Sequence, residues 1–286
     1  MKLIENNVIR YNQEPGIAGV YKSIRDAASI CYQTDVEKMK KTPEEFVNDV
    51  LIKNGHGRAL EFGTVYLMWD KNEVMNDKDE DLQFLLLLLE MSRYSRVNHH
   101  HNWTFLTTNF RLIMQGDYKT DKEAYDNGYD HNFVHIMNRF WSEPTDYHEQ
   151  RYSFVMDISR GCSDDFRTHI TLSSMSESSR FCNYSKGKFS NELTFIKPYW
   201  FEDDWEKDID CMNFYNSMKQ AESEYMKMAS LGLQAQQLKR IFPLGAKCEL
   251  RLCGFQDAWD NFFWRRIDAH ADPACQKVAK MIKELM

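Results

Sequence analysis

Hydroxyl and cationic side chains crowd one short segment of the sequence. Five serines fall within residues 173–179, and Arg180 follows them directly. Serine hydroxyls donate and accept hydrogen bonds, and a guanidinium binds a phosphate or a planar polar base through paired bonds. The segment therefore suits a phosphorylated or heterocyclic ligand. Further donors follow it in the chain: Asn183, Tyr184 and Lys186.

An ordinary surface loop is the simpler explanation of this composition alone. Serine clusters are common in loops, because their side chains bond to neighbouring backbone groups and stabilise turns. A ligand site requires elements that hold the segment in place, so the rest of the chain has to be considered.

The spacing of apolar residues predicts those elements. Thr42-Pro43-Glu44-Glu45 is typical of a helix start, and that helix should end at Gly55. Residues 82–92 fit either a helix or a buried strand, and residues 103–114 contain strand formers followed by helix formers. Strands are predicted at 2–12, 63–69, 152–158 and 247–253, a loop at 121–131, and helices at 17–33, 131–141, 205–232, 233–241, 255–269 and 273–285.

These elements predict an α+β fold whose helices concentrate in the C-terminal half. No Pro/Gly/Ser-rich linker divides the 286 residues, so a single domain over 1–286 is expected. With 43% hydrophobic residues the chain is long enough for a packed core. The net charge of -7 argues against non-specific binding to a nucleic-acid polymer, whereas a small anionic ligand needs only a local basic pocket.

Composition also bears on compartment and metal content. The N-terminal residues lack the apolar run of a signal peptide, and the longest apolar run, Phe84–Leu89, is too short to span a bilayer. The seven cysteines include no C-x-x-C pair, which indicates a reduced, cytoplasmic protein without a structural zinc site. His99-His100-His101 is more typical of a solvated loop than of a metal site. We therefore expect no metal and no membrane association.

The serine-rich segment resembles the signature of flavin-dependent thymidylate synthases. That signature reads R-H-R-x-x-S, a short variable stretch, and then S-x-R-Y; residues 168–173 read THITLS and residues 178–181 read SSRF. Residues 55–61, GHGRALE, resemble an early element of the family, and residues 241–243 with 262–266 resemble its C-terminal element. The resemblance extends over nearly the whole chain, with a probable insertion near 70–102.

The resemblance implies a fold, a reaction and an assembly. The fold is a domain in which an antiparallel sheet is flanked by helices. The implied reaction is the reductive methylation of dUMP to dTMP, with methylenetetrahydrofolate as carbon donor, NADPH as reductant and FAD as cofactor. Family members of this kind are homotetramers that bind FAD at subunit interfaces, so a homotetramer is expected.

The resemblance also assigns roles to residues of this chain. Arg266 would be catalytic, lying against the uracil and favouring loss of its N3 proton, since a fixed cation stabilises developing negative charge. The residues expected to bind the substrate are Ser178, Ser179, Arg180, Lys239 and Asp165. Those expected to border the flavin cofactor are His169, Asn261, His56, Thr168 and Ser176.

The chain departs from the family pattern at several of these positions. Thr168 and Ile170 stand where the signature has arginines, which removes two strong phosphate donors. Ser176 replaces a polar or acidic residue, Lys239 replaces an arginine, and Phe181 replaces a tyrosine. Three alternatives follow: thymidylate synthesis with an altered pocket, a related C5 modification of another pyrimidine nucleotide, or a catalytically impaired nucleotide-binding relative.

Overall fold

The computed structural model describes residues 1–77, 80–115 and 134–286, which form two compact units. The first unit contains residues 1–11, 29–34 and 152–286, and the second contains 12–28 and 35–151. The loop predicted at 121–131 lies outside the described residues. The single-domain and insertion assignments remain predictions.

Two sheets form the framework of the first unit. Their strands are β1 Lys2–Ile4, β2 Asn7–Arg10, β6 Arg151–Ser159, β7 Ser173–Ser176, β8 Thr194–Ile196 and β9 Lys247–Phe255. The four-stranded sheet has the order β2-β6-β9-β7, in which β2–β6 and β7–β9 pair antiparallel. A two-stranded parallel pair joins β1 to β8.

Five helices accompany these strands among the described residues of the first unit. Their bounds are α7 Arg160–Phe166, α8 Ile209–Ser230, α9 Ala235–Leu238, α10 Gln256–Arg266 and α11 Pro273–Glu284. One core joins the sheet to α7, α10 and α11, because each contributes an apolar face. Its largest members are Phe154, Phe166, Trp259 and Phe262, all fully buried. This core fixes the positions of the residues just after α7 and at the end of α10.

The second unit contains a three-stranded antiparallel sheet of order β3-β5-β4. Its strands are β3 Thr64–Asp70, β4 Arg96–His100 and β5 Trp103–Asn109. The helices are α2 Pro43–Phe46, α3 Lys71–Met75, α4 Glu80–Met91, α5 Phe110–Gln115 and α6 Val134–Phe140. Helix α1, Gly16–Tyr32, begins in this unit and its last turn belongs to the first.

Local sequence signals account for several of these boundaries. Thr42 caps α2 in a capping box with Glu45, as the sequence predicts, and the chain continues as a π-helix over Val47–Ile52. Gly55 follows with φ of 69°, a left-handed conformation that glycine adopts without strain. In α4, Leu82, Leu86 and Leu89 are buried, and this helical spacing decides between the two alternatives left open for 82–92.

Two predictions about local structure are wrong. The strand expected over residues 2–12 is divided into β1 and β2, because the two halves pair with different sheets. The loop expected at the three histidines is mostly strand: His99 and His100 pair with Thr104 and Trp103 of β5, and His101 alone lies in the turn. The other strand and helix predictions on described residues are confirmed to within a few residues.

The α+β prediction is confirmed, with antiparallel sheets flanked by helices. Within the described ranges, no helix has both the length and the apolar character that a bilayer crossing requires.

Candidate functional site

The turn after α7 brings three of the expected site residues together. Ser159 caps this helix by accepting a hydrogen bond from the Cys162 amide at 3.2 Å. At the other end, the Thr168 hydroxyl donates to the Asp165 carbonyl at 2.7 Å. The His169 amide donates to the Phe166 carbonyl at 3.3 Å. The chain therefore leaves the helix in a tight turn that holds the Thr168 and His169 side chains in fixed directions.

Arg266, at the end of α10, reaches into this turn. Its Nε donates to His169 Nε2 at 2.9 Å, and its Nη2 donates to the Asp165 carbonyl at 2.6 Å and to Thr168 Oγ1 at 3.0 Å. Its Nη1 also lies 3.7 Å from Asp165 Oδ1. These contacts fix the guanidinium in one orientation, so the expected catalytic arginine is held by residues expected to bind substrate and cofactor.

His169 is neutral in this arrangement. Its ring is buried, with 6% of the residue exposed, and packs edge-on against Phe262. Burial is the largest cause of the fall in its pKa from 6.5 to about 4, and the Arg266 and Arg265 guanidinium groups add to it. Because Nε2 accepts a bond from Arg266, the ring proton belongs on Nδ1.

Asn261 and Arg265 extend the group along α10. Arg265 Nε donates to Asn261 Oδ1 at 3.4 Å, one helical turn away, and both side chains are exposed. Thr168 is exposed as well. We call Asp165, Thr168, His169, Asn261, Arg265 and Arg266 the arginine–histidine cluster. It combines guanidinium and amide donors, and the Arg265 and Asn261 side chains are exposed.

A second group of expected site residues forms the turn that follows β7. The Ser178 amide donates to the Cys31 carbonyl at 3.1 Å, and Ser178 Oγ accepts from the Arg180 amide at 3.3 Å. The Arg180 guanidinium is exposed and lies 5.4 Å from the ring of Phe181, which stacks on Tyr32. The backbone of this turn is therefore held firmly while the Arg180 side chain faces solvent.

These two groups lie at opposite ends of β7. The arginine–histidine cluster precedes the strand, and Ser178, Ser179 and Arg180 follow it. A strand rises about 3.3 Å per residue, so the four residues of this strand extend over roughly 13 Å. Ser176 is the last residue of the strand and pairs with Leu250.

The remaining two expected residues are Lys239 and His56, which belong to other elements. Lys239 begins a short 3₁₀ turn, Lys239–Ile241, after α9. Its side chain is half-buried. His56 belongs to the second unit, where it is exposed and precedes the 3₁₀ helix Gly57–Phe62.

Sequence reasoning missed a buried polar network directly behind the Ser178 turn. The Glu177 carboxylate accepts from the Tyr184 hydroxyl, from Lys247 Nζ at 3.1 Å and from the Glu249 amide at 3.1 Å. Lys247 also pairs with Asp157 at 3.2 Å, and these carboxylates raise its pKa against the opposing effect of burial. A cavity of about 360 Å³ adjoins the network. Glu177 stands between Ser176 and Ser178 in the sequence, and this acidic residue within a serine-rich segment is the signal that could have indicated the network. Its partners Lys247 and Glu249 lie on the distant strand β9, so the sequence does not identify them.

The comparisons with known proteins identify the family of this chain. The model of the family described as thymidylate synthase complementing protein (Thy1) matches residues 119–286, more than half of the chain. The chain belongs to this family. The matched range contains the arginine–histidine cluster, the Ser178–Arg180 turn and Lys239, whereas His56 lies before it. A comparison with curated proteins gives no match.

Similar solved structures include two of the UMP/dUMP methylase PolB from Streptomyces cacaoi. The structure bound with 5-Br dUMP is 16% identical with a TM-score of 0.38, covering 47% of this chain and 64% of that chain. The structure bound with 5-Br UMP is 16% identical with a TM-score of 0.39, covering 47% of this chain and 68% of that chain. This Thy1-family chain therefore spans about two thirds of the length of those structures.

Proposed function

We propose that this Thy1-family chain catalyses the reductive methylation of dUMP to dTMP. The carbon donor would be methylenetetrahydrofolate, the reductant NADPH and the cofactor FAD. Family membership supports the class of reaction. The observation that carries the proposal is the convergence of Arg266 with Asp165, Thr168 and His169, to which the family resemblance assigns roles in catalysis, substrate binding and cofactor binding.

The donor chemistry of the arginine–histidine cluster fits FAD. The cofactor carries a pyrophosphate and a ring edge rich in acceptors, and the cluster offers the exposed Arg265 guanidinium and the Asn261 amide. Arginine is well suited to bind phosphate because it donates two parallel hydrogen bonds. Asn261, Thr168 and His169 would hold the cofactor, and bound FAD supplies hydride chemistry.

Arg266 would act on the pyrimidine ring. Its guanidinium is immobilised before any substrate arrives, so it stabilises negative charge on the ring without reorganising. The neutral His169 accepts a hydrogen bond from Arg266 Nε, and this bond orients the remaining N–H groups of the guanidinium. Arg180 would bind the nucleotide phosphate, because it is exposed on a firmly held turn.

Cysteine attack on the base has no support at Cys182, the cysteine that directly follows the motif. Cys182 is fully buried, and burial raises the pKa of its thiol to about 12. A thiol with this pKa stays protonated near neutral pH and is a poor nucleophile. This agrees with chemistry in which the flavin acts and no thiol attacks.

A second candidate is the C5 modification of another pyrimidine nucleotide. It is favoured by Ile170, which is 95% exposed where the family signature has an arginine. Isoleucine at this position cannot donate the hydrogen bonds that an arginine would, so the contacts to cofactor or nucleotide must differ. A catalytically impaired nucleotide-binding relative is the third alternative.

Two assays test the proposal: the growth of a thymidine-requiring strain and the oxidation of NADPH by the purified protein. A thymidine-requiring strain that carries this gene should grow without thymidine. Purified protein supplied with FAD and methylenetetrahydrofolate should oxidise NADPH faster with dUMP than with dCMP or UMP. Failure to bind FAD would refute the flavin-dependent reaction, and preference for dCMP or UMP would favour the second candidate.

Two arginine substitutions test whether Arg180 binds the nucleotide phosphate. Arg180→Ala should raise the KM for dUMP by at least ~10-fold, the cost of one charge-assisted contact. Arg93→Ala is the control: Arg93 is also exposed and lies 4.7 Å from the ring of the next residue, Tyr94, outside the expected site. Equal effects of the two substitutions would contradict the assignment of Arg180.

A further inference from the structure

Two cysteines that are 113 residues apart meet in the first unit. Cys162 lies on α7 and Cys275 on α11, and their sulfur atoms are 3.2 Å apart. The carboxylate of Asp272 lies beside them, and one ligand atom from each of the three residues falls within 4.8 Å of the others. Thiolate and carboxylate groups at such spacing are a donor set for a thiophilic divalent cation.

The backbone holds these donors in place. The Cys162 amide is bonded to the Ser159 hydroxyl at the start of α7. Asp272 caps α11: its Oδ1 accepts from the amides of Ala274 at 2.8 Å and Cys275 at 3.2 Å. Both cysteines are buried members of the apolar core. The second carboxylate oxygen of Asp272 is not used in the cap, and the residue is exposed, which gives an ion a route from solvent.

We propose that Cys162, Cys275 and Asp272 bind one thiophilic divalent cation, of which Zn²⁺ is the representative. Zn–S bonds of about 2.3 Å in a tetrahedral site place two sulfur atoms about 3.8 Å apart. The observed sulfur atoms must therefore separate by roughly 0.6 Å, which small side-chain rotations allow. The two thiol protons leave to solvent when the ion binds, and no oxidation or reduction takes place.

Asp165 lies beside the proposed site. Its Oδ2 is 3.5 Å from Cys275 Sγ. The other oxygen of the same carboxylate lies 3.7 Å from Arg266 Nη1. The cation site thus adjoins the arginine–histidine cluster through one side chain. It does not depend on the proposed methylation activity.

Metal titration of the reduced, chelator-treated, full-length chain tests the proposal. Co²⁺ should bind at one ion per chain and give the intense near-ultraviolet absorption of thiolate ligation. Zn²⁺ should displace it, and elemental analysis should find one zinc per chain. Zn²⁺ should also raise the unfolding temperature, because it binds only the folded arrangement.

Three substitutions and one control define the ligands. Cys162→Ser and Cys275→Ser should each weaken binding at least ~10-fold and reduce the thiolate absorption. Asp272→Asn keeps the helix cap, since asparagine is an equally good capping residue, and should weaken binding by roughly 10-fold. Cys211→Ser should change nothing, because Cys211 is a buried thiol elsewhere in the same unit, on α8.

Two results would overturn the proposal. One is that the reduced wild-type chain takes up no Co²⁺ or Zn²⁺. The other is that the thiolate absorption persists unchanged in both cysteine variants. If either cysteine variant fails to fold, the metal affinity of Asp272→Asn and the metal stoichiometry of the wild-type chain still test the proposal. Neither measurement requires the removal of a core side chain.

Discussion

Acid should destabilise this protein through His169. The ring is neutral and buried in the fold, with a pKa of about 4, whereas the unfolded chain has the ordinary value of 6.5. Between these values the unfolded chain binds more protons than the folded chain. Stability contributed by the neutral ring is therefore complete above about pH 6.5 and is lost as pH falls towards 4.

The magnitude follows from the two pKa values. The full difference corresponds to about 3 kcal/mol, since one pKa unit is about 1.4 kcal/mol. Between pH 7 and pH 5, about 2 kcal/mol of this should be lost. The free energy of unfolding of wild type should therefore fall by about 2 kcal/mol more over this interval than that of His169→Asn, which cannot titrate there.

Urea denaturation at pH 7 and pH 5 measures this difference. Carboxylates titrate in both proteins and cancel in the comparison. Arg266→Gln removes one cause of the lowered pKa, so it should give a pH dependence between those of wild type and His169→Asn.

Equal pH dependence in wild type and His169→Asn would refute the reasoning. It would mean that His169 titrates alike in the folded and unfolded chain, and hence that it is not the buried, neutral partner of Arg266. A direct check is the His169 ring signal in nuclear magnetic resonance, which should shift only near pH 4.

Three further predictions follow from local contacts. Arg180→Lys should weaken dUMP binding at least ~5-fold by calorimetry without changing the unfolding temperature, because the exposed lysine cannot donate two parallel bonds. Glu177→Ala should destabilise the fold by about 3 kcal/mol in urea, since it leaves the buried Tyr184 hydroxyl without its acceptor and the Lys247 ammonium with Asp157 as its remaining partner. Gly19→Ala should lower the unfolding temperature markedly, because its Cβ would lie 1.8 Å from a backbone carbonyl oxygen; Gly187→Ala, with open space at that position, should not.

The sequence by itself determined most of the local structure. Capping at Thr42 and apolar spacing in α1, α10 and α11 are encoded within a few residues, so these helices could be predicted from the chain alone. The motif residues around Arg180 and Arg266 identified the family for the same reason, because short motifs are read directly from neighbouring positions. Apolar runs without clear periodicity, such as 82–92, could not be assigned in this way.

Tertiary structure alone decided which residues meet. Arg266 contacts His169 and Asp165 across about a hundred positions, and Cys162 meets Cys275 across 113, because a shared core brings α7, α10 and α11 together. No local pattern records such pairings, since each depends on how distant apolar faces pack. Burial is likewise a property of the fold, so the neutral state of His169 followed only from its surroundings.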